Sequence, residues 1–446
     1  ERSADNFLTT RPAAVALCER LGIVEQLLPT DESRRQALVV HRGRLAPIPA
    51  GYYLMSPRRL WPLISSPLLS VRGKLRLLAE LLVPPRGRIA ARNEIEEAAR
   101  ADESVASFVQ RRFGREVYRR LVQPLVAGIY TADADQLSMA ATMPEFFASE
   151  RQYGSLLRAT MKLRIKELLG SRAELDGVSG ARYGNFVAPK HGMSSLIAAI
   201  VDRLPPAAIR LGTRVTQLRS IGGQWRLQWN SSPNGVDFDA VILALPSFAA
   251  ASLLKSRHPA LAAALGAIPY AGCAVVSCAF RRDQIAHSLN SFGFVVPQVE
   301  GRRIIAASFA SNKFPGRAPA ESVLIRTFVG GSLQPELADL PDNPLRRLVL
   351  DELAELLSIV GQPQWVDIAR WPRSMPQYLV GHLTRVERIQ RLAASLPRLA
   401  LAGNAYQGVG IPQCIASGEA AAEGIAATFQ EKSPAVSPRR NGRAVC

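Results

Sequence analysis

The chain has 446 residues, 48% hydrophobic and 21% charged, which is enough apolar material for more than one core and excludes a disordered protein. Its formal charge of +18 rests on forty-eight arginines and seven lysines scattered along the sequence. No helix-turn-helix, zinc-finger or RNP pattern accompanies them, which argues against nucleic acid and leaves the charge as solvated surface or as attraction for anionic lipid or a carboxylated ligand.

In chain order, Ala13 to Leu21 reads as a helix opened by Pro12 and stopped by Gly22. Leu38 to His41 and Leu45 to Ile48 flank Arg42-Gly43-Arg44 as a hairpin. From Ser56 to about Ala181 the spacing is helical, as in Leu75 to Leu82, Val105 to Phe113 and Leu156 to Leu169. Within it, Ser65 to Leu69 and Leu77 to Val83 are apolar and lie near Arg72, Lys74, Arg76 and Arg86, a pattern that suits either packed core or a bilayer surface. A helix at Ser194 to Leu204 leads into strands at Val215 to Leu218, Trp225 to Trp229 and Phe238 to Ala244. Ala267 to Trp365 alternates as β-structure around a helix at Leu345 to Ile359. The basic, Pro-containing tail after Gln430 reads as disordered. No run of about 18 apolar residues predicts a membrane-spanning helix. Cys18, Cys273, Cys278, Cys414 and Cys446 lack metal-site spacing and fit free thiols in a reducing compartment.

The densest signal is Leu399 to Cys414, an apolar strand running into Gly403, a turn holding Gly408 and Gly410, and Pro412 opening an alanine-rich helix. Such a turn aims unpaired N–H groups and the positive end of a helix at a phosphate or at the pyrimidine edge of a reduced flavin. The residues show no Gly-x-Ser-x-Gly elbow, no Ser-His-Asp arrangement and no His-rich metal motif. His191 and His382 read as structural hydrogen bonders.

Five further blocks join this turn: Pro124 to Tyr130, Tyr153 to Leu156, Phe292 to Pro297, Phe314 to Pro319, and Arg370 to His382 with its Pro376-Gln377-Tyr378. The six together, in this order, resemble the oxygen-dependent, FAD-containing porphyrinogen oxidases of haem synthesis, within the flavin amine-oxidase-like superfamily. The resemblance implies an α/β (α+β) fold in three parts: a discontinuous FAD-binding domain at 1–30, 186–262 and 396–430, a β-rich substrate domain at 31–50 and 263–395, and a helical subdomain at 51–185. No Gly-x-Gly-x-x-Gly occurs, and Glu1 to Leu8 resembles the segment after that motif, so the resemblance also implies that the family's first βαβ unit is missing and that this chain has lost its N-terminal piece.

By the same resemblance, Val215 lies at the adenine end of FAD, and Trp371, Gly403, Asn404, Val409, Gly410, Ile411 and Pro412 line the rest of the cofactor. Phe292, Val295 and Phe328 would form the apolar slot for the substrate. The family's carboxylate-binding arginine falls on Ala37 here, which moves that role to Arg34 or Arg35. Asp5 stands in Ser3-Ala4-Asp5 where relatives carry Gly-Pro, and is either a proton acceptor near the reacting carbon or a turn aspartate. The implied reaction is oxidation of protoporphyrinogen IX, or alternatively of coproporphyrinogen III, with oxygen as acceptor and peroxide as product. The implied location is cytoplasmic, with peripheral attachment to the cytoplasmic membrane left open. The competing readings are another flavin amine oxidase or desaturase, which would lack the Pro376 to His382 block, and an inactive fragment.

Overall fold

The computed structural model of the chain describes residues 1–53, 55–57, 60–86, 102–168, 185–230 and 232–430; the expectations for the tail after Gln430 and for helix beyond Leu168 lie outside them. Strand β1 (Phe7–Leu8) precedes the helix Pro12–Leu21, which begins on Pro12 and ends at Gly22 as its sequence dictates. β2 (Leu27–Pro29) follows, and then β3 (Leu38–His41) and β4 (Arg44–Pro47) form the expected hairpin. β5 (Tyr52–Tyr53) and β6 (Ser56–Pro57) make a short ribbon before a long helical stretch. β7 (Phe186–Pro189) inserts between β1 and β2, antiparallel to both. β8 (Val215–Ile221), β9 (Gln224–Trp229) and β10 (Ser232–Phe238) form a meander. β11 (Val241–Leu243) is followed by β12 (Tyr270–Arg281), β13 (Gly293–Val295), β14 (Ala306–Phe309), β15 (Ser322–Gly330), β16 (Trp365–Pro376) and β17 (Leu399–Leu401).

A seven-stranded sheet in the order β16-β12-β15-β14-β13-β3-β4 is the largest described. It is antiparallel except where β3 joins β13, which brings the early hairpin into a sheet built mostly from later sequence. Alternation along each strand separates its faces. Ala274, Val276, Phe294, Ala307, Ile325 and Val329 pack under the helix Asp342–Leu357, which supplies Leu345, Val349 and Leu353 to the same core. Residues of the opposite parity face the helical subdomain and the chain's first residues. β11 and β17 pair in parallel with Val241 opposite Leu399, and their core includes Trp225 of the meander and Ile389 of the helix His382–Ala394.

A buried ionic network holds the helical subdomain. Arg112 has no exposed side-chain surface; its Nε lies 3.1 Å from Glu150 and 3.4 Å from Glu80, and its Nη1 donates to the Val83 carbonyl at 2.7 Å. Glu80 accepts the Leu156 and Leu157 amides at 2.9 and 3.2 Å, so it caps the helix Leu156–Leu168. Arg111 bridges Glu150 at 2.7 Å and Glu103 at 2.5 Å. The Tyr153 to Leu156 block is thereby explained: Gly154 offers its carbonyl to Arg112 and Ser155 its hydroxyl to Glu80. Just before Pro124, which has no N–H for the helical ladder, the backbone widens into a π-turn at Tyr118–Val122. The helix Gln123–Tyr130 then runs over the open face of the large sheet.

No helix among the described residues is long and apolar enough to cross a membrane. The apolar segments near Arg72 divide by position: Leu68, Leu69 and Leu77 enter the core, whereas Val71, Leu75, Leu78 and Leu82 are 73%, 62%, 36% and 83% exposed. Removing the central guanidinium should leave two buried carboxylates without their shared cation. Arg112→Met is therefore expected to cost about 3–5 kcal/mol, read as a lower urea midpoint, with helix Leu156–Leu168 losing hydrogen-exchange protection first. A midpoint shift equivalent to less than about 1 kcal/mol would show that the network is not what holds this subdomain.

Candidate active site

β17 delivers the chain to Gly403, whose φ of +124° lies in the region that favours glycine. A Cβ built there meets no atom within 4 Å, so the space beside the turn is open. Asn404 to Gly410 then curl into the 20-residue helix Ile411–Gln430, with Pro412 buried in its first turn. Gly410 is less constrained than the sequence alone indicates, because an added Cβ would meet the movable end of Gln413.

The Arg370 to His382 block builds the floor under this turn. The Tyr378 hydroxyl donates to the Asn404 carbonyl at 2.7 Å and accepts the Gly408 N–H at 2.7 Å. The His382 ring stacks on Tyr378 with centroids 3.9 Å apart and planes 13° from parallel, and its Nε2 bonds the Tyr406 carbonyl at 3.1 Å. Burial pushes the His382 pKa down to about 4, so the ring is neutral and Nε2 carries the proton. The same block reaches outward. Tyr378 packs in the helical-subdomain core and its carbonyl accepts the Ser138 N–H at 2.7 Å, while Gln377 accepts from the Ser332 hydroxyl at 2.9 Å.

On the open face of the large sheet, register aligns an apolar row, Val39, Val295, Ala306, Phe328, Val275 and Ala369, across six adjacent strands. Val295 and Phe328 are half-buried, whereas their neighbours in the row are buried, so the row opens at those two side chains. Gly128 and Ala127 of the helix Gln123–Tyr130 lie against it; a Cβ on Gly128 would already stand 3.4 Å from Val295. Phe292 has the parity of Phe294, which faces the other core; it is buried, and its N–H donates to the Gln36 carbonyl at 2.8 Å. Gly293 is required beside it, because a Cβ there would stand 2.1 Å from the Ala307 carbonyl oxygen.

The remaining candidates sit apart from the turn or beside it. Val215 opens β8 opposite Trp229 and is half-buried. The Trp371 Nε1 donates to the Arg2 carbonyl at 2.7 Å, and Asn404 Nδ2 reaches the Ser374 carbonyl at 3.5 Å. Val409 packs on the helical-subdomain core, and Ile411 on the core beneath β1. Arg34 and Arg35 engage carboxylates of their own loop, Asp31 at 3.7 Å and Glu32 at 3.0 Å. Ala37 is buried in the helical-subdomain core. Asp5 Oδ2 pairs with Arg326 Nη1 at 3.0 Å; burial favours its neutral form, but Lys313 and Arg326 hold the carboxyl below its ordinary range. That makes Asp5 a firm ion-pair partner and a weak base near neutral pH. Arg326 is a site residue beyond the motifs of the sequence; an arginine inside the apolar run Val323 to Val329 must find a partner, and that is the signal it carries.

The flavin dinucleotide expected from the sequence fits this cradle. Gly403 leaves open space, the helix beginning at Ile411 directs its positive end to the turn, and Tyr378 fixes the turn from below. Tyr378→Phe leaves the Gly408 N–H and the Asn404 carbonyl unpaired, a loss of about 1–3 kcal/mol, and is expected to weaken flavin binding about tenfold by absorbance titration. Unchanged affinity would detach the turn from its floor. The neutral His382 ring adds stability that is full above about 6.5 and lost as pH falls toward about 4, because the unfolded imidazole takes up the proton first. Thermal unfolding should record a decline equivalent to about 3 kcal/mol across that window. The His382→Gln variant, which retains a donor, should lack this part of the decline, and an identical profile in both proteins would assign it elsewhere.

Comparison with known proteins places this geometry. Residues 1–426 match the family model described as flavin containing amine oxidoreductase. A relative in Bacillus subtilis named coproporphyrinogen III oxidase is 32% identical over 94% of this chain and 85% of its own length. The chloroplastic/mitochondrial protoporphyrinogen oxidase 2 of Arabidopsis thaliana is 27% identical over 95% of this chain and 84% of its own. A solved structure from an Exiguobacterium species, provisionally named protoporphyrinogen oxidase, superposes with a TM-score of 0.80 at 28% identity, covering 97% of this chain and 88% of its own. The matched length, the α/β architecture and the glycine turn on its Tyr378–His382 floor agree: the chain belongs to the flavin-containing amine oxidoreductase family, with FAD as its cofactor.

Proposed function

We propose that this chain oxidises a porphyrinogen to the conjugated porphyrin, with the macrocycle lying on the apolar row at Val295 and Phe328 and FAD held by residues 403–412. The observation that carries this reading is that one block, Pro376 to His382, supports the glycine turn and also ties it to the sheet bearing the row. FAD held there would supply the hydride acceptor for a saturated bridge carbon, with oxygen as the final electron acceptor and peroxide as the product. Three such steps remove the six electrons that separate the two macrocycles; the three accompanying protons come from two pyrrole nitrogens and, by tautomerisation, from the fourth bridge carbon.

The protein's own contribution is placement and exclusion of water. Val295 and Phe328 present the half-buried apolar surface of the row, and the helix Gln123–Tyr130 packs beside them with the small residues Ala127 and Gly128. No side-chain nucleophile is needed. Substrate carboxylates stay at the mouth, since burying one unpaired costs several kcal/mol. Arg34 and Arg35, paired with the partly exposed Asp31 and the exposed Glu32 in the loop before β3, are the arginines proposed to attract them from solution.

Protoporphyrinogen IX is the first reading of the sequence; the greater identity to the Bacillus protein, 32% against 27% for the Arabidopsis one, favours coproporphyrinogen III. Each is to be offered in air to the flavin-loaded protein, with porphyrin fluorescence followed above the uncatalysed rate. The faster one is the substrate, and no acceleration of either, with turnover of a primary amine instead, would overturn the proposal. Phe328→Ala should lower kcat/KM about ten- to a hundredfold with flavin still bound, whereas an unchanged value would remove Phe328 from the substrate surface.

The partner proposed for the exposed stripe is an anionic bilayer surface. Val71, Leu75, Leu78 and Leu82 recur at helical spacing, Trp61 is 76% exposed in the preceding helix, and the chain carries a net charge of +18. Flotation with phosphatidylglycerol vesicles should carry the wild-type protein and leave the Leu75→Glu, Leu82→Glu double variant behind; equal flotation of the two would refute this placement.

A further inference from the structure

Beside the apolar row, the next register line of the large sheet is polar. Gly293, Ser308, Arg326, Ser277 and Asp367 stand opposite one another on five adjacent strands, on the same face as Phe328. Both charged members of this line are taken up by residues 2–5. Arg326, 2% exposed, pairs with Asp5 at 3.0 Å and donates a second bond to the Ser3 carbonyl. Asp367 accepts two bonds from the Arg2 guanidinium at 2.9 and 3.0 Å. Lys313, whose ammonium lies 5.1 Å from the Phe186 ring centroid and 5.4 Å from that of Phe314, is a second cation acting on Asp5.

This short segment connects two parts of the molecule. It runs directly into β1, which pairs with β7 and shares a core with Ile411 and Ile415 at the start of the terminal helix. Its other attachments, through Arg326 and Asp367, are to the sheet that carries the row. A buried guanidinium in an apolar strand is a costly way to fill space, since an apolar side chain would pack there without a desolvation penalty. Arg326 is also two residues from Phe328 on the same face, with its guanidinium carbon 5.6 Å from that ring.

We propose that Arg326 is a positioning residue for turnover. Through Asp5 and Ser3 it straps residues 2–5 to the sheet, and so sets the spacing between the cofactor turn at 403–412 and the substrate row at Phe328. The proposal rests on the porphyrinogen-oxidase reading, and its physical basis is the short range of hydride transfer, for which reacting atoms must approach to about 3–3.5 Å. A strap loosened by an ångström leaves both ligands bound and slows the step between them.

The test compares flavin-loaded wild type with Arg326→Met, Arg326→Lys and Asp5→Asn. Arg326→Met should keep its flavin and a KM within about twofold, while kcat falls about ten- to a hundredfold. Arg326→Lys, which retains a cation for Asp5, should recover most of that loss. Asp5→Asn should reproduce the kinetic defect of Arg326→Met, and combining the two should add little. In Arg326→Met, hydrogen exchange should quicken in residues 2–8 and remain unchanged in β12 and β15. Wild-type kcat in Arg326→Met, or a loss of activity accompanied by lost flavin and lost protection throughout the sheet, would overturn the positioning role. If the wild type itself forms no porphyrin, the oxidase reading fails, and exchange in residues 2–8 still decides whether the strap exists.

Discussion

The functional half of this molecule depends on one aromatic pair. Tyr378 and His382 stack beneath the glycine turn, and three of that turn's backbone groups, the Asn404 and Tyr406 carbonyls and the Gly408 N–H, end on their polar atoms. A turn with glycines at 403, 408 and 410 gains close approach to a ligand at the expense of stiffness. The floor restores that stiffness from outside the turn. It also fixes where the turn lies, because the same few residues reach Ser138 in the helical subdomain and Ser332 after β15.

The large sheet shows how one surface is divided among tasks. One parity of side chains builds a conventional apolar core under the helix Asp342–Leu357, and the other is sorted line by line into an apolar row and a polar line. Register does this sorting: a slip of one residue in β15 would exchange Arg326 and Phe328 for Ile325 and Thr327 and destroy both lines together. The helical subdomain reaches the same end by ion pairing around Arg112, which links helices far apart in sequence at the expense of burying charge.

Much of this was legible from residue pattern. The helices at Pro12, Val105 and Leu156, the hairpin around Gly43 and the strand leading into Gly403 follow from capping, spacing and turn chemistry that act locally. Strand β16 stands out in the sequence as a motif and not as a strand, since Pro372 and Pro376 interrupt its pattern; the β12 pairing shifts register between Ala271 and Cys273, close to that region. The helix His382–Ala394 carries only Val386, Ile389 and Ala393 as buried apolar residues after His382, set among arginines, and so gives a weak local signal. At the candidate site, the glycine turn and Phe328 could be named from sequence. The roles of Tyr378 as floor and of Arg326 as anchor depend on partners 26 and 323 residues away, a distance over which no local pattern carries information.

The most direct test of porphyrinogen oxidation beside this turn is anaerobic mixing of the flavin-loaded protein with a porphyrinogen, with flavin absorbance and porphyrin fluorescence recorded on the same timescale. Bleaching of the flavin in step with substrate loss, followed by its return when oxygen is admitted, is the expected result. A flavin that stays oxidised in the presence of porphyrinogen, yet bleaches with an amine, would contradict the assignment and return the chain to the amine oxidases.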